Sequence, residues 1–258
     1  MCHLGWRTEM RTMIADMRCR LWLALSLVIC LTVSGLAWAA GEGGTAAPPR
    51  DPAAYDAVAG QVAACLHVAT CPRELRFGGV GVQWVMGDPD VWSPSCAEGI
   101  KRWVGRGHVC WMDVSLTSRF GITDSVGGGT DQATVAAEAK GHPLVAGVNS
   151  ISCMDTFRYM RGLPMGALPV MVCWNRWDHV VVGVWPLGKG LIIFRPEARP
   201  AEITWLQRGE RRWVEPDVAD GARLLHNINV LTLETLKNAG FAVPRAARNA
   251  PMPRWPLL

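Results

Sequence analysis

The chain has 258 residues, 50% of them apolar and 19% charged, a globular balance that excludes a disordered or collagen-like polymer and fits one domain. Its 26 Lys and Arg against 22 Asp and Glu leave a net charge of +4, spread without a basic run or an Arg/aromatic stripe, so nucleic acid is not an expected partner.

At the N-terminus, Leu21 to Ala40 form an apolar run preceded by Arg18 and Arg20 and closing on Ala37-Trp38-Ala39, a small-x-small pattern. This reads as a secretory signal peptide over residues 1–39, cut after Ala39. An uncleaved anchor is the alternative, since about 20 apolar residues span a bilayer. The compact Met-Arg-Cys-Arg stretch places the expected start of translation at Met17. Export makes the periplasm or the extracellular space the expected location, and membrane contact is expected only through an uncleaved signal. Residues 40–52 read as a flexible lead, 53–243 as a single α+β domain and 244–258 as a proline-rich tail.

Within the domain, the spacing of Tyr55, Val58, Val62 and Cys65 predicts a helix over Ala53 to Val68, with Cys65 and Cys71 placed to staple its end. Val80 to Met86 alternates as a strand. Cys96 to Arg106 reads as a helix with Ser95 as its N-cap, Thr130 to Lys140 as a second helix and Ser152 to Arg161 as a third. From Leu168 the period changes to four apolar, β-branched runs, ALPVMVCW, DHVVVGVW, GLIIFRPE and AEITWLQ, whose short connections predict an antiparallel meander. A last helix is expected at Thr232 to Asn238, closed by Gly240. The order, helices and then a sheet, is α+β rather than βαβ.

Six cysteines follow the cleavage site: Cys65, Cys71, Cys96, Cys110, Cys153 and Cys173. In an oxidising compartment an even count favours disulfides, and spacing does not choose the pairing. Cys96 stands at a predicted helix start, where unpaired amides and the positive dipole end favour a thiolate. His179 opens a buried strand, and a Cys on a helix start with a His on a distant strand is the layout of a nucleophile and its base. The plain alternative for His179 is a half-buried structural histidine. Trp174, Trp177 and Trp185 around it could line a peptide- or glycan-binding cleft or simply fill the core. No His, Cys or acidic spacing fits a metal site, and no cofactor motif is present.

Cys96, GGGTDQATVAAEAKGHP, GLPMGALPVMVCW, DHVVVGVW and GLIIFRPEARPAEITWLQ together resemble the papain-like cysteine peptidases of the C39 type and their AvrRpt2-like relatives. The resemblance spans about Val80 to Arg208. It implies N-terminal helices packed on the C-terminal meander, with Cys96 as nucleophile and His179 as base. In that family an Asp before a Pro orients the base, whereas this chain has Arg195 before Pro196. Glu197, two residues on, is the candidate to take over. The family's oxyanion Gln stands close before the Cys; here the nearest is Gln83. Cys153 is the second candidate nucleophile, and Cys153 with Cys173 a candidate structural pair.

The expected function is thus an exported, cysteine peptidase-like protein that hydrolyses or binds a peptide or protein substrate through a Cys96–His179 dyad. The alternative is a non-catalytic, disulfide-stabilised periplasmic component of an envelope, secretion or conjugation machine.

Overall fold

A computed structural model describes residues 52–195 and 217–243. The signal segment, Glu197, the fourth apolar run AEITWLQ and the proline-rich tail lie outside the described residues.

Helix α1 (Pro52–Ala63) leads into strand β1 (Leu66–Ala69), then β2 (Val82–Val85), helix α2 (Pro94–Gly105) and β3 (Val109–Asp113). Strands β4 (Ser125–Val135), β5 (Ser150–Arg161), β6 (Leu168–Cys173), β7 (Arg176–Leu187) and β8 (Gly190–Arg195) follow. Helix α3 (Asp217–Asn238) is the last element described. The protein is thus mixed helix and sheet, and no helix among the described residues is long and apolar enough to cross a membrane.

All eight strands belong to one sheet, in the order β1-β2-β3-β8-β7-β5-β4-β6. Its first half, β1 to β8, is parallel. Its second half is antiparallel, and because β6 also pairs with β7, strands β7, β5, β4 and β6 close into a small barrel. The composition explains the division. Strands β2, β3 and β8 are buried at every position, the continuous apolar reading of strands covered on both faces. Lys101 of α2 lies over the ring of Trp185, whose register partner is Ile192, so α2 covers one face. On the other face the Trp111 indole N–H donates to Thr232 of α3 at 3.1 Å.

The meander expected from Leu168 is present: β6, β7 and β8 run antiparallel in succession. Three expectations are corrected. Thr130 to Lys140 and Ser152 to Arg161 are not helices; most of the first lies in β4 and the second in β5, which pair from Ser125↔Arg161 to Thr134↔Ser150. Pairing over that length outweighs the helix propensity of an Ala-rich stretch, which is a weak prior. The first helix ends at Ala63, and Leu66 to Val68 pair with β2 instead. Finally, β2, α2 and β3 form a βαβ unit, which the helices-then-sheet order does not contain.

Helix α3 begins fifteen residues before the expected Thr232, because its buried face mixes Asp220, His226, Asn227 and Asn229 with Leu224, Ile228 and Leu231, which conceals the apolar period. Asp220 accepts the amides of Asn149 (2.7 Å) and Ser150 (3.2 Å), and Asn227 donates to the carbonyls of Leu144 (2.9 Å) and Ala146 (3.1 Å). The helix therefore clamps the segment that feeds β5. Gly240 follows it at φ +88°, as a left-handed C-terminal stop requires.

Cys65, Cys71, Cys96, Cys110 and Cys173 are free thiols. Cys65 and Cys71 do not staple α1: both are free thiols, and the four-residue strand β1 between them is roughly 13 Å of extended chain, beyond the reach of a disulfide.

Candidate functional site

Cys96 is the third residue of α2. Pro94 takes the first helical position, where its missing N–H costs nothing, so the N-cap is Ser93 rather than the expected Ser95. The Ser93 hydroxyl makes no cap to a backbone amide; it meets Ser95 Oγ at 2.9 Å and Cys96 Sγ at 3.4 Å. The Cys96 amide donates to the Ser93 carbonyl at 3.0 Å. The thiol is half-buried at the amide-rich end of the helix, held by a local hydroxyl.

His179 lies on β7 and is only 5% exposed. Its ring stacks on Tyr159 of β5, with centroids 4.0 Å apart and planes 6° from parallel. Nε2 is 3.7 Å from the Asp178 carboxylate, too long for a hydrogen bond. Burial pushes the imidazole below its usual pKa; Asp178 opposes that shift, while Arg161 and Arg176 add to it. The neutral ring thus sits among two cations, one acid and a phenol. Arg161 donates to the Tyr159 hydroxyl at 3.3 Å, with its guanidinium carbon 5.6 Å from the ring centroid.

Tyr159 fits because Gly127 lies opposite it on β4. A Cβ there would stand 2.5 Å from the tyrosine ring and hydroxyl. The β7 backbone is displaced at the same place. Cys173 pairs with Arg176 and the preceding Val172 with Val180, so Trp177, Asp178 and His179 form a three-residue bulge with no partner on β6. Bulges of this kind re-aim side chains at barrel rims. Trp177 projects from this one, 83% exposed, beside Trp174 at 58%.

Among the described residues, the side-chain contacts of the two groups are separate: Cys96 meets Ser93, and His179 meets Tyr159 and Asp178. Gln83 is 1% exposed on β2; its Oε1 accepts the Arg76 amide at 2.9 Å, and its Nε2 has no partner among the described residues. It anchors the segment whose next residue, Phe77, packs over Gly99 and Trp103 of α2, one turn from Cys96. Glu197 lies outside the described residues.

Arg195 is buried with its guanidinium carbon 4.9 Å from the Trp84 ring centroid and 5.5 Å from that of Trp111. Its register partner is the fully buried Asp113, which accepts the Trp84 indole N–H at 3.4 Å. The cation therefore belongs to an aromatic and acidic cluster at the carboxyl ends of the parallel strands, and it is absent from the charges that act on His179.

Trp174 and Trp177 lie at the bulge that carries His179, and Trp185 does not join them. Trp185 lies six residues along β7, roughly 20 Å from His179, under Lys101. Tyr159, Arg161 and Asp178 were not singled out from the sequence. The alternation of apolar Phe157 and Tyr159 about Arg158 was the signal for a strand carrying Tyr159 inward; no such signal marks Arg161 or Asp178.

No protein-family model matches the chain, and no curated protein does. Among solved structures, it is similar to one described as a cytoplasmic protein from Salmonella typhimurium, at 15% identity and a TM-score of 0.37, over 68% of this chain and 78% of that one. A likeness at that level assigns neither a fold nor a function.

Proposed function

We propose that this is an exported domain that binds a peptide on a papain-like scaffold without cleaving it. The observation that carries the reading is the separate engagement of the two expected catalytic groups: the Cys96 thiol is held by Ser93, and the His179 ring lies flat on Tyr159. Cysteine catalysis needs nucleophile and base within hydrogen-bond reach. Arg195, at the position of the family's orienting acid, supports the same reading, because it is occupied by Trp84 and Trp111. Export is supported by the apolar run ending at Ala37-Trp38-Ala39.

The surface best suited to a peptide is the barrel rim, where Trp174, Arg176 and Trp177 are exposed together. Trp and Arg are the residue types that most often dominate binding energy.

The test uses a fluorescent peptide library on the protein beginning at Ala40, reading binding by anisotropy and cleavage by mass. Binding without cleavage, unchanged in Cys96→Ala and lost in Trp174→Ala/Trp177→Ala, is the expected result. Cleavage that vanishes in Cys96→Ala and in His179→Ala would replace binding with Cys–His hydrolysis.

A further inference from the structure

The bulge on β7 joins two features that the peptide-binding reading leaves unused, a buried imidazole and an acid just out of reach, to the exposed indole of Trp177 that it does use. The groups that face His179 are Asp178 and Arg176 from its own strand and Arg161 and Tyr159 from β5. From β6, the Cys173 thiol shares the fields of Asp178 and Arg176 and is pushed up by burial.

With the ring neutral, the cluster holds two guanidinium groups and one carboxylate. A proton on His179 adds a third cation beside Arg161 and Arg176, while the ring stays stacked on Tyr159. The nearest relief is the Asp178 carboxylate at 3.7 Å. A charge-assisted hydrogen bond there would close to about 2.8 Å. That approach requires the ring to leave Tyr159. The His179 backbone stays paired with Arg161 of β5 while its ring turns, and the two residues before it, Trp177 and Asp178, carry no ladder partner on β5 or β6.

We propose that the Trp177–His179 bulge is a proton-operated hinge, in which protonation exchanges the His179–Tyr159 stack for a His179–Asp178 hydrogen bond and repositions Trp177. The position of His179 favours the neutral ring at neutral pH, because burial lowers its proton affinity. Acidification is therefore the signal, and the exposed face carrying Trp174 and Trp177 is the output. The hinge does not depend on what that face binds.

The experiment labels the whole chain with 5-fluorotryptophan and follows fluorine resonances from about pH 8 to about pH 5. The Trp177 signal is assigned by its loss in Trp177→Phe. A Trp177 signal that shifts on acidification with a midpoint below the ordinary histidine range is expected. The shift is lost in His179→Gln, and in Asp178→Asn it shrinks with a lower midpoint. Asp178 is 53% exposed, so that variant keeps the test decisive if His179→Gln fails to fold. A Trp177 signal that does not move, or that titrates equally in wild type and Asp178→Asn, overturns the hinge.

Discussion

Trp111 and Thr232 are joined by a hydrogen bond of 3.1 Å that spans 121 residues of sequence, from an inner strand of the parallel half to the last helix. Both residues are buried to within 1% of complete. Thr232→Val keeps the shape and removes the acceptor, stranding an indole N–H in a dry environment. The expected cost is about 1–3 kcal/mol in urea unfolding, with the slope unchanged. A loss below a few tenths of a kcal/mol would show that this bond does not fasten α3 to the sheet.

Gly127 is required by what lies above it. In Gly127→Ala the new methyl meets the Tyr159 ring and hydroxyl at 2.5 Å, and the ring has His179 stacked against it. We expect a destabilisation of about 1–3 kcal/mol from overpacking. Most of it should be recovered in Gly127→Ala/Tyr159→Leu, measured as a double-mutant cycle. Equal losses with and without Tyr159 would place the strain elsewhere.

Stability should fall on acidification. His108 is held below its usual pKa first by burial, between Trp103 at 4.3 Å and Phe241 at 4.5 Å. His142, His179 and His226 are lowered mainly by burial as well. For each, the unfolded chain binds the proton more readily than the folded one. Their contribution is therefore intact above about pH 6.5 and is lost as the pH falls through the lowered folded values. Urea midpoints at about pH 7.5 and about pH 5.5 test this; a midpoint that holds or rises at the lower pH contradicts it.

The thiols should separate by access. Cys110 is fully buried and raised far beyond the usual thiol range by burial, while Cys96 is half-buried at a helix start. In native-state alkylation mapped by mass, Cys96 should be modified at least about tenfold faster than Cys110. Comparable rates would mean that the β3 core opens readily.

Parts of this architecture were legible because local pattern and packing agree. The β-branched runs after Leu168 became β6, β7 and β8, and the spacing around Cys96 to Arg106 became α2. Residues 130–140 misled because Ala-rich chain favours a helix locally, while β5 and β6 on either side claim its backbone. Helix α3 was legible only in its last two turns, since Asp220, His226, Asn227 and Asn229 face inward. Cys96 and His179 were legible as residue types. The partners each one meets were not, because Ser93, Tyr159 and a bulge that no spacing announces supply them.

Closure of β6 onto β7 leaves β1 as the outer strand of the parallel half of the sheet among the described residues. Even that margin is partly taken, since the Glu74 carboxylate accepts both the amide (2.6 Å) and the hydroxyl (2.9 Å) of Thr70 just past the strand end. Strand exchange between copies along that margin, which needs a run of vacant backbone groups, has only the four residues Leu66–Ala69 from which to start. At high concentration the parallel half should thus resist templated β-polymerisation, and a proline replacing Val68, whose N–H faces away from β2, should abolish what remains.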